Sequence, residues 1–227
     1  MFGRFAARST ETERLDRGEY TADEYGRWRK EMFFIHRIFG EVRALRQSLV
    51  KEIQPLQSSS VSVLDVAAGS GDLLSYLRDR SPHKEVSVFG AECSTEATKW
   101  ISSKGITAVR CDALQLPFAA DSFDFVFCTL FLHHLNEIDA AELLRQMARV
   151  ARLRFFVIDL DRRPLPYYAY KILGSVFLQP FSRDDGALSI LRSYREDELK
   201  HLAERAGVRN VEVRHSAVNR LILSAAR

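Results

Sequence analysis

Cysteine, long apolar runs and blocks of like charge are all scarce in these 227 residues. Three cysteines, at positions 93, 111 and 128, make an odd number without metal-ligand spacing. That excludes a disulfide framework, and it implies free thiols in a reducing compartment and no metal centre. No apolar stretch approaches the ~18 residues of a membrane span. The start, Met1 to Arg17, is charged and lacks the apolar centre of a signal peptide, so a cytoplasmic protein is expected. Thirty-three basic residues face 30 acidic ones for a net charge of +3, with arginines interleaved among acids. Nucleic-acid binders concentrate basic charge in a stripe, so no nucleic-acid partner is expected. What remains is 46% hydrophobic, enough for one α/β unit with a sizeable core.

The densest signal is the run from Val61 to Asp72, a buried strand that ends on Asp65, turns through small residues and enters a helix. Gly69 and Gly71 let backbone approach a ligand, and the helix start offers unpaired N–H groups. A dinucleotide fingerprint needs a third glycine at position 74, where Leu74 stands, so dinucleotide binding is disfavoured. A second strand, 86–91, ends on Glu92, about 20 residues past the turn and placed for ribose hydroxyls. A third, 107–110, runs to Asp112, whose carboxylate is placed to accept from an adenine amino group. A fourth, 123–127, runs into Cys128 and then Leu132-His133-His134. Acids thus gather at the carboxyl ends of successive strands, where open parallel sheets bind ligands.

With these elements the chain resembles the class I S-adenosylmethionine-dependent methyltransferases. The carrying segments are LDVAAGSGDL (64–73), GAECS (90–94), CDALQLPFAADSFDFVFCTLFLHHL (111–135) and FFVIDLDR (155–162). The LPF, SFD and LHH elements are similar to those of the ubiquinone and menaquinone branch. DLDRRPL (159–165) and RDDGALSILRSY (183–194) resemble bacterial methyltransferases of polyketide or quinone-like phenolic lipids. The resemblance implies an α/β fold, a Rossmann-like seven-stranded sheet flanked by helices with its last strand antiparallel. It implies S-adenosyl-L-methionine as cofactor, leaving S-adenosyl-L-homocysteine as product. Asp65 and the backbone of Ala67, Gly69 and Gly71 would hold the methionine end, Glu92 the ribose hydroxyls, and Asp112 with Ala113 the adenine, with Cys93 also among the cofactor-binding residues. Cys128 would lie beside the sulfonium. Three positions depart from the family pattern: Ala67 replaces a glycine, His36 an asparagine and Asp184 a histidine.

Around this domain, assigned to residues 56–227, two regions need separate readings. Residues 1–20 are polar and expected to be mobile. From Thr21 a capping box, Thr21-Ala22-Asp23-Glu24, opens a helical segment to about residue 55. Its apolar positions Trp28, Met32, Ile35, Phe39, Val42, Leu45, Leu49 and Ile53 recur at helical spacing, with a break expected near Gly40. This stripe either packs on the sheet or covers the substrate site, where His36 or Arg37 would face the ligand. Residues 161–194 form an aromatic insertion carrying Tyr167, Tyr168, Tyr170, Phe177, Phe181 and Tyr194. It reads as a pocket for an apolar aromatic acceptor, with core extension or an attachment surface as competing readings.

A phenol, with a reference pKa near ~10, benefits from a base as it attacks a methyl group on cationic sulfur, and histidine at about 6.5 is suitably poised. His133 is the candidate general base, with His134 the second choice and a helix-start cap the competing reading. The sequence therefore reads as a methyltransferase of a small hydroxylated aromatic or lipid-like acceptor, more at oxygen than at carbon. The alternative is a cofactor-binding, non-catalytic partner subunit or sensor of the same fold.

Overall fold

Runs of β-branched and aromatic residues, each cut off by an acid or a small-residue turn, set the strands. In the computed structural model residues 3–38, 40–80, 85–216 and 218–226 are described, without the side chains of residues 33, 34 and 36–38. The strands are β1 (Ser60–Val66), β2 (Glu85–Glu92), β3 (Thr107–Arg110), β4 (Phe123–Thr129), β5 (Ala151–Leu160), β6 (Val211–Ser216) and β7 (Arg220–Ala226). They form one sheet in the order β3-β2-β1-β4-β5-β7-β6. Pairing is parallel from β3 through β5, while β7 runs antiparallel to both β5 and β6. All seven residues of β4 are buried, as a central parallel strand covered on both faces requires.

The covering helices are α1 (Arg14–Arg17), α2 (Ala22–Ile38), α3 (Glu41–Leu45), α4 (Lys51–Ile53), α5 (Asp72–Asp79), α6 (Thr95–Ser103), α7 (Glu137–Val150), α8 (Pro164–Phe177), α9 (Pro180–Arg192) and α10 (Glu196–Arg205). One face of the sheet packs α7 and α10 around Leu144, Met147 and Leu202. The other packs α3, α5 and α6 around Leu45, Leu74, Ile101 and Phe127. The Thr21–Glu24 capping box forms: the Thr21 N–H donates to Glu24 at 2.8 Å and the Glu24 N–H to Thr21 at 3.2 Å. The break expected near Gly40 falls there, at φ 102° between α2 and α3. The side chains of His36 and Arg37, and all of Phe39, lie outside the described residues.

Residues 3–20, expected to be mobile, are packed. Phe5 is buried with its ring 5.4 Å from that of Tyr167. The Arg8 guanidinium donates to the carbonyls of His133, Leu135 and Arg192, and the Ser9 N–H donates to Leu191. The Asp185 carboxylate accepts the first N–H groups of α1, from Arg14 at 3.0 Å and Leu15 at 2.9 Å. Polar side chains thus satisfy backbone groups 125–184 residues away in the chain, several of them at helix ends, where orphan donors and acceptors concentrate.

The insertion 161–194 consists of α8 and α9 packed on each other. A Cβ on Gly186 would lie 2.1 Å from the Tyr170 hydroxyl, so only glycine admits this helix contact.

Candidate active site

At the carboxyl ends of β1, β2 and β4 lies a cleft of about 410 Å³. Its floor is Asp65, Ala67, Gly69 and Glu92, and its roof is Tyr25, Trp28, Arg29 and Met32 of α2. Trp100 of α6 closes one side, with the Tyr25 ring 6.1 Å away and the Arg29 guanidinium 4.5 Å over its centre. Glu92 accepts N–H groups from Gly69 at 2.9 Å, Cys93 at 2.8 Å and Ser94 at 3.2 Å, which fixes the turn against β2. Asp65 is buried, and its Oδ1 has no hydrogen-bond partner. Burial, and then the charge of Glu92, pushes its carboxyl well above the usual carboxylate range. Two non-glycine residues of the cleft, Ala67 (φ 59°) and Leu130 (φ 50°), adopt left-handed backbone. Such strain is on the order of 1–3 kcal/mol per residue and concentrates at ligand sites.

Not every residue selected from the sequence reaches this cleft. Asp65, Ala67, Gly69, Glu92 and Cys93 line it. Gly71 stands one step behind, at φ 72°, where a Cβ would press Ile101 at 3.1 Å. Asp112 and Ala113 are not among the lining residues; one Asp112 oxygen accepts the Leu114 N–H at 2.8 Å. Cys128 is wholly buried in the core below Asp65, and burial pushes its thiol well up.

A second cavity, of about 260 Å³, opens between α2, α8 and α9. It shares Leu15, Trp28, Met32, Leu130 and His134 with the first, so the two spaces meet along one wall. Its lining is mostly apolar, including Ile35, Leu160, Pro166 and Ile190, with an acid–base cluster on one side. His133 is buried there, with Nδ1 2.7 Å from Asp159 Oδ1, while its backbone N–H donates to Asp159 Oδ2 at 3.0 Å. Burial alone would raise the Asp159 carboxyl. The His133 charge and the hydrogen bonds from His133 and Leu160 outweigh burial and hold it below the usual range. In the neutral tautomer that donates its Nδ1–H to the ionised Asp159, His133 Nε2 is the acceptor. His134 pairs likewise with Asp16, at 2.9 Å.

Glu13 completes the cluster. Its Oε1 lies 3.7 Å from His133 Nε2 and accepts the Ser189 hydroxyl at 2.9 Å. Glu13, His133 and His134 bring ligand-type atoms within 4.8 Å of one another. Burial pushes the Glu13 carboxyl from 4.5 to about 7 against the pull of His134 and Ser189. The folded chain therefore keeps a proton that the unfolded chain releases, and this group's contribution to stability falls as pH rises from about 4.5 to about 7. Glu13→Gln keeps the shape and the acceptor for Ser189. It is expected to raise the unfolding free energy near pH 8 by on the order of 3 kcal/mol and to leave it unchanged near pH 4. Identical midpoints at the higher pH would mean that the ionised carboxylate is fully compensated.

Known proteins resemble this chain in sequence and fold. The family described as "Methyltransferase domain" matches residues 63–153, the span from β1 to the middle of the sheet. A ubiquinone/menaquinone biosynthesis C-methyltransferase from Xanthomonas campestris is 31% identical over 166 residues, covering 64% of each chain. A demethylmenaquinone methyltransferase from Thermus thermophilus is 29% identical over 128 residues, covering 55% of this chain and 57% of its own. The chain thus spans under two thirds of these relatives. Among solved structures, magnesium protoporphyrin IX methyltransferase from Synechocystis, with bound S-adenosylhomocysteine, superposes with a TM-score of 0.64 at 17% identity. That superposition covers 94% of this chain and 98% of the other. Residues 63–153 thus match a methyltransferase domain, and the chain is similar to S-adenosylmethionine-dependent methyltransferases of class I fold. Within that class its similar sequences act in quinone biosynthesis, by the names they carry.

Proposed function

We propose that this chain transfers a methyl group from S-adenosylmethionine to a hydroxyl of an apolar, quinone- or polyketide-like aromatic held in the second cavity. The observation that carries the reading is the shared wall. A mostly apolar cavity with a carboxylate-held imidazole abuts the acid-floored cleft through His134 and Leu130. The residues present fit the cofactor. The unpartnered, buried Asp65 oxygen suits the cationic amino group at the methionine end, and the Glu92 carboxylate, fixed by three N–H groups, suits ribose hydroxyls. Trp100 and Tyr25 offer apolar faces to a ring. Asp112 and Ala113 remain the adenine side of this reading, and Cys128 its buried backing.

When bound, the cofactor supplies a methyl group on a good leaving group. The chain adds alignment, dryness and a proton acceptor. Leu130, Met32 and Trp28 exclude water between the two spaces. His133 Nε2 accepts the acceptor's hydroxyl proton while Asp159 holds Nδ1–H and stabilises the imidazolium.

Asp65→Asn removes the charge complementary to an ammonium and is expected to weaken S-adenosylhomocysteine about 10–100-fold, since a bond to a charged partner contributes roughly 1.5–3 kcal/mol. Calorimetric titration reads this directly, and unchanged affinity would remove Asp65 from the site. The function itself is tested with methyl-labelled cofactor and a panel of alkylated phenols, hydroquinones and carboxylates. Label on the oxygen of an apolar phenol is the expected outcome. Label on ring carbon would move the reading to the chemistry named for the relatives, and tight cofactor binding without transfer would favour the non-catalytic subunit.

A further inference from the structure

Helix α8 is built in a way the reaction does not require. Leu165, Ile172, Val176 and Phe177 are 69–80% exposed, and Tyr168 and Leu173 are 40–47% exposed. At the helical repeat these six residues cover about half of the helix circumference. Only Tyr167 and Gly174 of α8 are buried. A soluble helix ordinarily presents charged and polar residues outward, so an apolar face of this size marks an interaction surface.

Three observations identify its partner as a lipid surface. From residue 162 to 183 the chain holds four cations and no acid; Arg162 is buried against Glu198, and Arg163 and Arg183 pair with Asp161 and Asp184, so Lys171 is the one that stands beside the apolar face without an acid. Arg4 and Lys171 both lie over the Tyr167 ring, at 5.2 and 5.8 Å, beside the apolar face. The face is also continuous with the second cavity, because Leu173 belongs to both and the half-exposed Val218 stands at the same lining. At 14 residues α8 is too short to span a bilayer, which needs about 20, and no helix among the described residues is long and apolar enough to cross. Apolar face, flanking cations and interfacial aromatics together are the features of a helix that lies in the headgroup region.

We propose that α8 seats this protein on an anionic membrane surface, with the mouth of the second cavity turned toward the bilayer, so that an apolar acceptor enters from the lipid phase. The seating stands on the helix alone; the entry route rests on the function proposed above.

The test is co-sedimentation of the full chain with vesicles of phosphatidylcholine containing phosphatidylglycerol, beside pure phosphatidylcholine. Ile172→Glu/Val176→Glu changes two exposed residues outside the cavity lining. Wild type is expected to partition onto the anionic vesicles and to leave them as salt rises, and the double variant to lose at least tenfold in partitioning while its unfolding midpoint is unchanged. Equal partitioning of wild type and variant, or none by wild type, overturns the proposal. So does a wild-type dimer in light scattering that the variant dissolves, which would assign the face to a second copy. Cosedimentation needs no turnover, so failure of the phenol assay leaves this result readable. If both succeed, the variant is expected to retain activity on a short, water-soluble phenol and to lose at least tenfold on a long-chain phenol presented in vesicles.

Discussion

Replacing His133 with alanine is expected to lower turnover by about 10²–10⁴-fold, the range that a positioned general base contributes, while S-adenosylhomocysteine affinity stays within a factor of about two. The imidazole lines the apolar cavity and not the cofactor cleft. Its loss should therefore appear in the chemical step measured by single-turnover label transfer. Asp159→Asn provides the second reading, because the amide keeps the volume but no longer holds the imidazolium formed in the reaction. A smaller fall in the same step is expected, with the acid limb of the pH–rate profile displaced. If both variants transfer methyl at the wild-type rate, His133 is only a buried cap of the turn after β4. Its backbone N–H bond to Asp159 would then be its whole role. Unfolding midpoints separate that case from a collapsed fold.

How far this site was legible in the sequence depends on how local its parts are. Asp65, Ala67, Gly69 and Glu92 sit at strand ends and in turns whose geometry is dictated within a dozen residues, and they line one cleft. Four of the strands were legible for the same reason, since strand period and turn residues are short-range signals, whereas the seven-stranded order was what the family resemblance implied. Asp112, likewise a carboxylate just past a strand, accepts the Leu114 N–H with one oxygen and is not among the residues lining the cleft. Glu13 and Asp16 carried no signal, and Asp185 stood only within the segment 183–194 quoted for the resemblance. Glu13 meets His133 from 120 positions away, and Asp185 caps a helix that starts at residue 14. Nothing in the chemistry of either neighbourhood announces such pairings. The same holds for Arg8, whose donors are matched by carbonyls from two distant elements. Low apolar content near the start suggested mobility because hydrophobicity is a local measure and hydrogen-bond matching is not.

The second large effect concerns the ion pair that ties α3 to the sheet. Glu41 and Arg220 are both buried, and the Arg220 Nε donates to Glu41 Oε1 at 2.9 Å, with a second bond from the adjacent guanidinium nitrogen. Arg220 also faces the second cavity, so the pair delivers a cation to that wall with its counter-charge directly behind it. Arg220→Met fills much of the same volume but strands the Glu41 carboxylate, one oxygen of which already lacks a partner. Breaking a buried pair from one side costs about 3–5 kcal/mol, because the remaining charge is left uncompensated. Equilibrium denaturation should register that loss in the midpoint without a large change in slope. Removing both charges, in Arg220→Met/Glu41→Leu, is expected to recover most of it, since well-packed apolar replacements of buried pairs are often neutral. The double variant also reports on the acceptor. With the wall neutral in either case, an apolar phenol should bind as before, whereas an anionic acceptor held by the Arg220 charge should lose affinity. Full recovery of stability with unchanged KM for the phenol would therefore assign this pair to the fold; a raised KM would make Arg220 a contact of the substrate.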